Sequence, residues 1–296
     1  SLIMASVVLL VVLTAATTVG ILLSLAQGEP GTQSLAQQGL FTAVSQSKTI
    51  DGFTITIETA YVDANRAILG ITIKQPDLSG YGKGGQWNFG QIKLTTSNGI
   101  DLPATGLAMD SAAGGGSPTG SLMSFDAENI LGNPHSLQLR ADINYMCYQY
   151  NESACSQKAL AVSKQLNWAF QFSVPFHAGR IAQIHQSMTV NGETVTLERV
   201  VVTPSETRAY ISGLRYEDLV NGHSALTIGE KTYDTYAAEP VGGLSDDGTG
   251  LTTTRLYLDF TYPLFAKHGT WNLSIGMGIT GARKAPGPWT FQFQVP

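Results

Sequence analysis

Residues 46–62 read QSKTIDGFTITIETAYV and residues 186–202 read QSMTVNGETVTLERVVV, identical at eight of 17 aligned positions. Chance does not produce that density in so short a window, so the chain holds two copies of one unit. The match resumes after a two-residue insertion, with Arg66-Ala67 against Arg208-Ala209, and returns at WAFQFSVP (168–175) and WTFQFQVP (289–296). In both copies aliphatic side chains alternate with threonine: Ile55 and Ile57 in the first, Val195 and Leu197 in the second. That period of two places hydrocarbon on one face of a strand and hydroxyls on the other. Asp51-Gly52 and Asn191-Gly192 stand between the apolar pairs as type I′ hairpin turns, where positive φ costs Asn, Asp and Gly least.

Further strands are predicted at 67–74, 92–96, 137–143 and 168–174, and again at 209–214, 252–260, 271–276 and 289–295. About seven short strands per copy, with no long amphipathic helix, predict a mainly β protein of two duplicated immunoglobulin-like sandwiches. Their spans are 46–175 and 186–296, joined by a hinge at 176–185, and each is near the usual size of a domain with its own core. Trp168, Phe170 and Phe172, like Trp289, Phe291 and Phe293, read as core faces of closing strands rather than a carbohydrate platform.

Ahead of the duplication, residues 1–28 (SLIMASVVLLVVLTAATTVGILLSLAQG) carry no charge. An apolar α-helix over 2–26 is the expectation; at about 1.5 Å per residue it is about 38 Å long, more than a bilayer's hydrocarbon core of about 30 Å. Such a helix lies in a membrane or packs against copies of itself. Without a basic start, and longer than a signal's apolar core, it reads as retained rather than cleaved. Glu29-Pro30-Gly31 is expected to end it, leaving 29–45 as a polar linker with one short helical turn. Small residues among its aliphatics permit close packing, and Leu2, Ala5, Val8, Leu9, Val12, Ala15, Ala16, Val19, Gly20 and Leu23 are the candidate packing positions.

Charged residues make up only 13% of the chain and the net charge is −5. A surface of small polar side chains fits export, and the unclustered Lys and Arg argue against nucleic acid. Cys147 and Cys155 are a candidate disulfide closing a loop between strands, the alternative being two free thiols. They cannot build a four-ligand zinc site. Asn151 and Asn272 head glycosylation triplets.

The run SQSKTIDGFTITIETAYVDANRAILGITI (45–73) is similar to the start of a β-sandwich domain of unknown function in the extracytoplasmic part of bacterial anti-sigma-factor-like membrane proteins. TVNGETVTLERVVVTPSETRAYI (189–211) resembles the immunoglobulin-like domain that often follows it. This resemblance implies a surface location and no known reaction. The layout of an apolar helix before β-sandwiches also resembles type IV pilins and archaeal pilins and flagellins, whose helices bundle in a filament core. Ala5 stands where bacterial pilins carry Glu, so only the archaeal form is matched.

No recurrent polar constellation suggests a catalytic site. Gly80-Tyr81-Gly82-Lys83-Gly84-Gly85 fits GxGxxG, but in an all-β setting it lacks the strand and helix a dinucleotide needs. Asp246-Asp247-Gly248 lacks the spacing and closing Glu of an EF-hand. His135, His177, His185, His223 and His268 are scattered, outside any metalloprotease or nucleophile-elbow motif. The expectation is a protein with no enzymatic activity, cofactor or metal. The first reading is a subunit of an extracellular pilus-like filament, its partners copies of itself joined through the helix and its coat the sandwiches. The alternative is a single-pass, membrane-anchored extracytoplasmic sensor or binding protein.

Overall fold

The computed structural model describes residues 25–74, 86–109, 119–149, 163–219, 222–241, 255–276 and 288–296. The chain divides into two compact units. The first is Ser1–Gly28, Ala36–Val62 and Ala67–Phe176; the second is Glu29–Leu35, Asp63–Arg66 and His177–Pro296.

The first copy contains β1 (Thr42–Ile50), β2 (Phe53–Asp63), β3 (Arg66–Lys74), β4 (Gln86–Thr96), β5 (Asp101–Leu102), β6 (Ala104–Met109), β7 (Thr119–Asp126), β8 (Ser136–Gln149) and β9 (Ser163–His177). They pair in the order β5-β4-β8-β9-β2-β3-β7-β6, with β1 added to β2. The second copy contains β10 (Arg180–Val190), β11 (Glu193–Val202), β12 (Thr207–Ser212), β13 (Ser224–Ile228), β14 (Lys231–Asp234), β15 (Ala237–Pro240), β16 (Arg255–Phe260), β17 (Gly269–Ile275) and β18 (Trp289–Val295). These form a five-stranded sheet, β10-β11-β12-β16-β15, and a four-stranded sheet, β14-β13-β17-β18. Helices among the described residues include α1 (Pro30–Gln37) and α2 (Tyr216–Leu219).

Copy for copy, the pairing order is the same. β1-β2-β3-β7-β6 corresponds to β10-β11-β12-β16-β15, and β5-β4-β8-β9 to β14-β13-β17-β18; the β9–β2 pairing is what joins the first copy's strands into one sheet. The local devices repeat as well. Asp51 and Asn191 have φ of 50° and 52°, followed by Gly52 and Gly192 at 81° and 89°, the geometry of the expected type I′ turns. A bulge interrupts β1–β2 between Ala43 and Gln46 and β10–β11 between Gln183 and Gln186, with Ser45 and His185 at φ 50° and 53°. Past each bulge a glutamine braces the closing strand of its own copy: Gln46 Nε2 donates to Gln171 O at 2.8 Å, and Gln186 Nε2 to Gln292 O at 3.2 Å. Hydroxyl pairs Ser47–Thr56 and Thr49–Thr54 are matched by Ser187–Thr196 and Thr189–Thr194.

Each copy has its own core. In the first, Phe53, Ile55, Ile57, Leu69, Ile71 and Trp168 pack together; in the second, Val195, Leu197, Leu226, Leu258, Trp271 and Trp289 do so. The tryptophan strands alternate as expected, β18 being buried at Trp289, Phe291, Phe293 and Val295 and exposed between them.

Two expectations need correction. Among the described residues, nine strands per copy replace about seven: β5 has two residues and β14 and β15 four each, too short to reveal alternation in the sequence. The apolar α-helix placed before the sandwiches is not upheld: among the described residues no helix is long and apolar enough to cross a membrane. The eight-residue α1 spans only about 12 Å. It also begins at Pro30, where a helix was expected to stop, because proline's fixed φ and missing N–H suit the first helical position. Residues 1–24, with the ten packing positions from Leu2 to Leu23, lie outside the described residues.

Candidate functional site

Along β12, Ala209 and Ile211 enter the core of the second unit, so Arg208 and Tyr210 point to the opposite face of the five-stranded sheet. There Arg208 lies opposite Asp259 and Tyr210 opposite Tyr257 on β16, while Val201 and Arg199 of β11 flank them on the other side. The tyrosine rings are 5.8 Å apart. Arg199 Cζ sits 4.0 Å from the Tyr210 centroid and Arg208 Cζ 4.1 Å from that of Tyr257, cation–π distances. This outer face is nevertheless dry: Val201, Arg208, Tyr210 and Tyr257 are all buried, with Ala64 and Val241 packed against the apolar three.

Two segments of the second unit close over this face. At the start of α1, Gly31 N donates to Thr261 O at 2.7 Å, and a Cβ on Gly31 would fall 1.8 Å from Ser205 O. Only glycine permits that approach. In the Asp63–Arg66 turn, Asp63 Oδ1 accepts from the N–H groups of Asn65 and Arg66, both at 2.9 Å, an Asx-type turn. Its Oδ2 accepts from Ser205 Oγ at 2.5 Å, and Asn65 Nδ2 donates to Val201 O at 3.3 Å.

At the centre is Glu206. Its Oε1 pairs with Arg208 Nε at 2.6 Å and its Oε2 with Arg66 Nε at 3.2 Å, the latter an ion pair without hydrogen-bond alignment. Arg66 Nη1 reaches Glu29 Oε1 at 2.7 Å and Nη2 reaches Thr32 Oγ1 at 3.1 Å, while Thr32 Oγ1 donates to Glu29 Oε2. Glu206 and Arg208 are 1% and 2% exposed, depths at which an unpaired charge is not tolerated. Burial raises the Glu206 carboxyl above its ordinary range, even against the pull of Arg208 and Arg66. Burial lifts Asp259 well above its range, and the charge of Glu206 lifts it further. For Arg66 burial works downward, but Glu206 and Glu29 outweigh it and hold the guanidinium charged.

The cluster is enclosed and its guanidiniums engaged, so its evident work is structural: it ties α1, the 63–66 turn and the five-stranded sheet together. The sequence reading missed it. The signal available was the arginine retained in both copies, Arg66 and Arg208, each just before a buried alanine, with the two-residue insertion that carries Ser205 and Glu206 beside it.

Among the described residues, those singled out from sequence are not brought together. The Cys147 backbone lies in β8 opposite Asn88 and Ser163, whereas Cys155 and Asn151 are outside the described residues, as are the glycine run 80–85 and Asp246-Asp247-Gly248. Asn272 is in β17, its Oδ1 accepting from Gln292 Nε2 at 3.2 Å. His223 Nε2 meets Asp234 Oδ1 at 3.3 Å on the surface, and His268 Nδ1 contacts Arg180 Nη1 at 2.8 Å. Among the described residues, no group of three or more His, Cys, Asp or Glu could hold a metal ion.

Neither a family model nor a curated relative matches the sequence. The fold is similar to that of a solved structure, the conserved domain protein from Bacillus anthracis, at 14% identity and a TM-score of 0.57, covering 87% of this chain and 91% of that one. The C-terminal domain of the Streptococcus agalactiae AgI/II polypeptide BspA aligns at 11% identity over 79% of this chain and 95% of that one, with a TM-score of 0.14, and bears no weight.

Proposed function

We propose that this chain is a non-enzymatic β-sandwich protein of the cell envelope, associated with a membrane through its uncharged leading segment and presenting two immunoglobulin-like domains to a ligand outside the cytoplasm. The observation that carries the reading is the juxtaposition of 28 uncharged residues with a duplicated sandwich of low charge content. The strand orders support the immunoglobulin-like description. Omitting the added β1 and β10, they are those of the A-B-E-D and G-F-C sheets with one further strand. The buried cluster supports the non-enzymatic part, since its Glu206 and arginines are spent on one another. Its surface strands instead offer rows of Ser and Thr hydroxyls, such as Ser187–Thr196 and Thr189–Thr194.

Fractionation of cells expressing the chain, with and without residues 1–28, tests this. The full chain is expected in the membrane pellet, soluble only in detergent and open to protease added outside; the shortened chain is expected in the soluble fraction. A full chain that stays monomeric in plain buffer overturns the proposal. Negative-stain microscopy of the same material separates dispersed particles from uniform filaments, and filaments would select the pilus-like reading with copies of the chain as partners.

A further inference from the structure

Among the described residues, the cover over the five-stranded sheet gathers more negative than positive charge. Glu29, Asp63, Glu206 and Asp259 surround two guanidiniums, Arg66 and Arg208. Three carboxyls are served: Glu29 by Arg66 and Thr32, Asp63 by two backbone N–H groups and Ser205, Glu206 by both arginines. Asp259 is the exception, for its buried Oδ1 has no hydrogen-bond partner among the described residues.

Its neighbours from each packed element are these. β12 and the residue before it supply Arg208, directly opposite, and Glu206. β15 supplies uncharged Ala237 opposite and Glu239 one register step along. The 63–66 turn supplies Arg66, with Asp63 acting on Glu206, and the residue before α1 supplies Glu29. β11 places Val201 beyond Arg208, with Arg199 one step along over Tyr210. An ionised Asp259 would add a fourth carboxylate to two shared cations in a buried site.

We propose that this cluster holds one bound proton, on Asp259, and that releasing the proton loosens the cover formed by Glu29–Leu35 and Asp63–Arg66. The consequence is a pH-dependent latch, independent of where the chain resides. The direction follows from linkage. A carboxyl that binds its proton more tightly folded than unfolded contributes stability fully present below the ordinary carboxylate range; that stability is lost as pH rises through the folded value. Burial, followed by the charge of Glu206, raises Asp259 in this sense. The cover is therefore tightest in acid and loosens toward neutral and alkaline pH.

The readouts are the amide of Gly31, whose hydrogen bond to Thr261 O holds the cover down, and those of Asn65 and Arg66, whose bonds to Asp63 Oδ1 close the turn within it. Amide exchange of the full chain, corrected for intrinsic rate, is measured between about pH 5 and about pH 8. Protection at these amides is expected to fall at least about tenfold in the wild type and to stay constant in Asp259→Asn, which cannot ionise. Constant protection in the wild type, or an equal fall in Asp259→Asn, overturns the proposal. Should the variant not fold, infrared spectroscopy of the wild type decides. A protonated-carboxyl band that disappears with the same pH dependence as the protection is expected, and its absence across the range overturns the latch.

Discussion

The two copies build the same inner face and opposite outer ones. Inside, both pack aliphatic strands against a tryptophan strand, with Trp168 and Trp289 almost fully buried. Outside, the first copy buries hydrocarbon: Tyr61, Ile68 and Leu122 lie off the core, with Phe41 edge-on to Tyr61 at 6.0 Å. At matching strand positions the second copy has Val201 for Tyr61 and Tyr210 for Ile68, and sets them among Arg199, Arg208 and Asp259. One pairing order thus tolerates two ways of drying a sheet's outer face. Apolar burial is indifferent to direction, whereas a charged face requires every ion to find a partner at the correct distance.

The sharpest way to break this contrast is Glu206→Ala. It leaves two buried guanidiniums without their shared carboxylate and should cost about 3–5 kcal/mol. Denaturant unfolding followed by amide exchange should show protection lost in β11, β12 and β16 and kept in β4 and β8. Equal loss in both copies would mean that the cluster is no special property of the second. Next is Gly31→Ala, whose Cβ would collide with Ser205 O. A cost of about 1–3 kcal/mol is expected, measured as a lower thermal midpoint, because α1 must withdraw from the sheet. Gly39→Ala, with open space around it, should lose only about 1 kcal/mol from its positive φ.

A smaller effect separates the matched tryptophans. Trp289 Nε1 donates to Glu193 O at 3.2 Å, while Trp168 Nε1 has no partner among the described residues. Trp289→Phe should therefore cost about 1 kcal/mol more than Trp168→Phe in denaturant unfolding. The smallest effect tests the identity of the copies. Asp51→Ala and Asn191→Ala place alanine at φ 50° and 52°, and each should lose about 1 kcal/mol in thermal unfolding. Glycine at either position should be near neutral, and unequal losses would show that the two hairpins are not equivalent.

The features legible in the sequence are local ones. Alternation in residues 53–58 and 193–198 disclosed the strands, and Asp51-Gly52 and Asn191-Gly192 disclosed the turns, because neighbouring residues alone set side-chain direction and φ. The eight shared positions disclosed the duplication, and WxFQFxV its closing strands. Short strands such as β5 and β14 escaped, since two to four residues cannot display a period. The expected apolar helix came from composition, which measures greasiness and not conformation.

What tertiary structure alone decided is the joining of Glu29, Asp63, Arg66, Glu206, Arg208 and Asp259 under one cover. These residues are scattered along the chain, and the arginine shared by the two copies marks a position without revealing what meets it there. Their fate depends on β12 pairing with β16 and on Gly31 reaching the backbone of Ser205. Local chemistry dictates which face a side chain takes; only the folded arrangement dictates whether water or another charge meets it there.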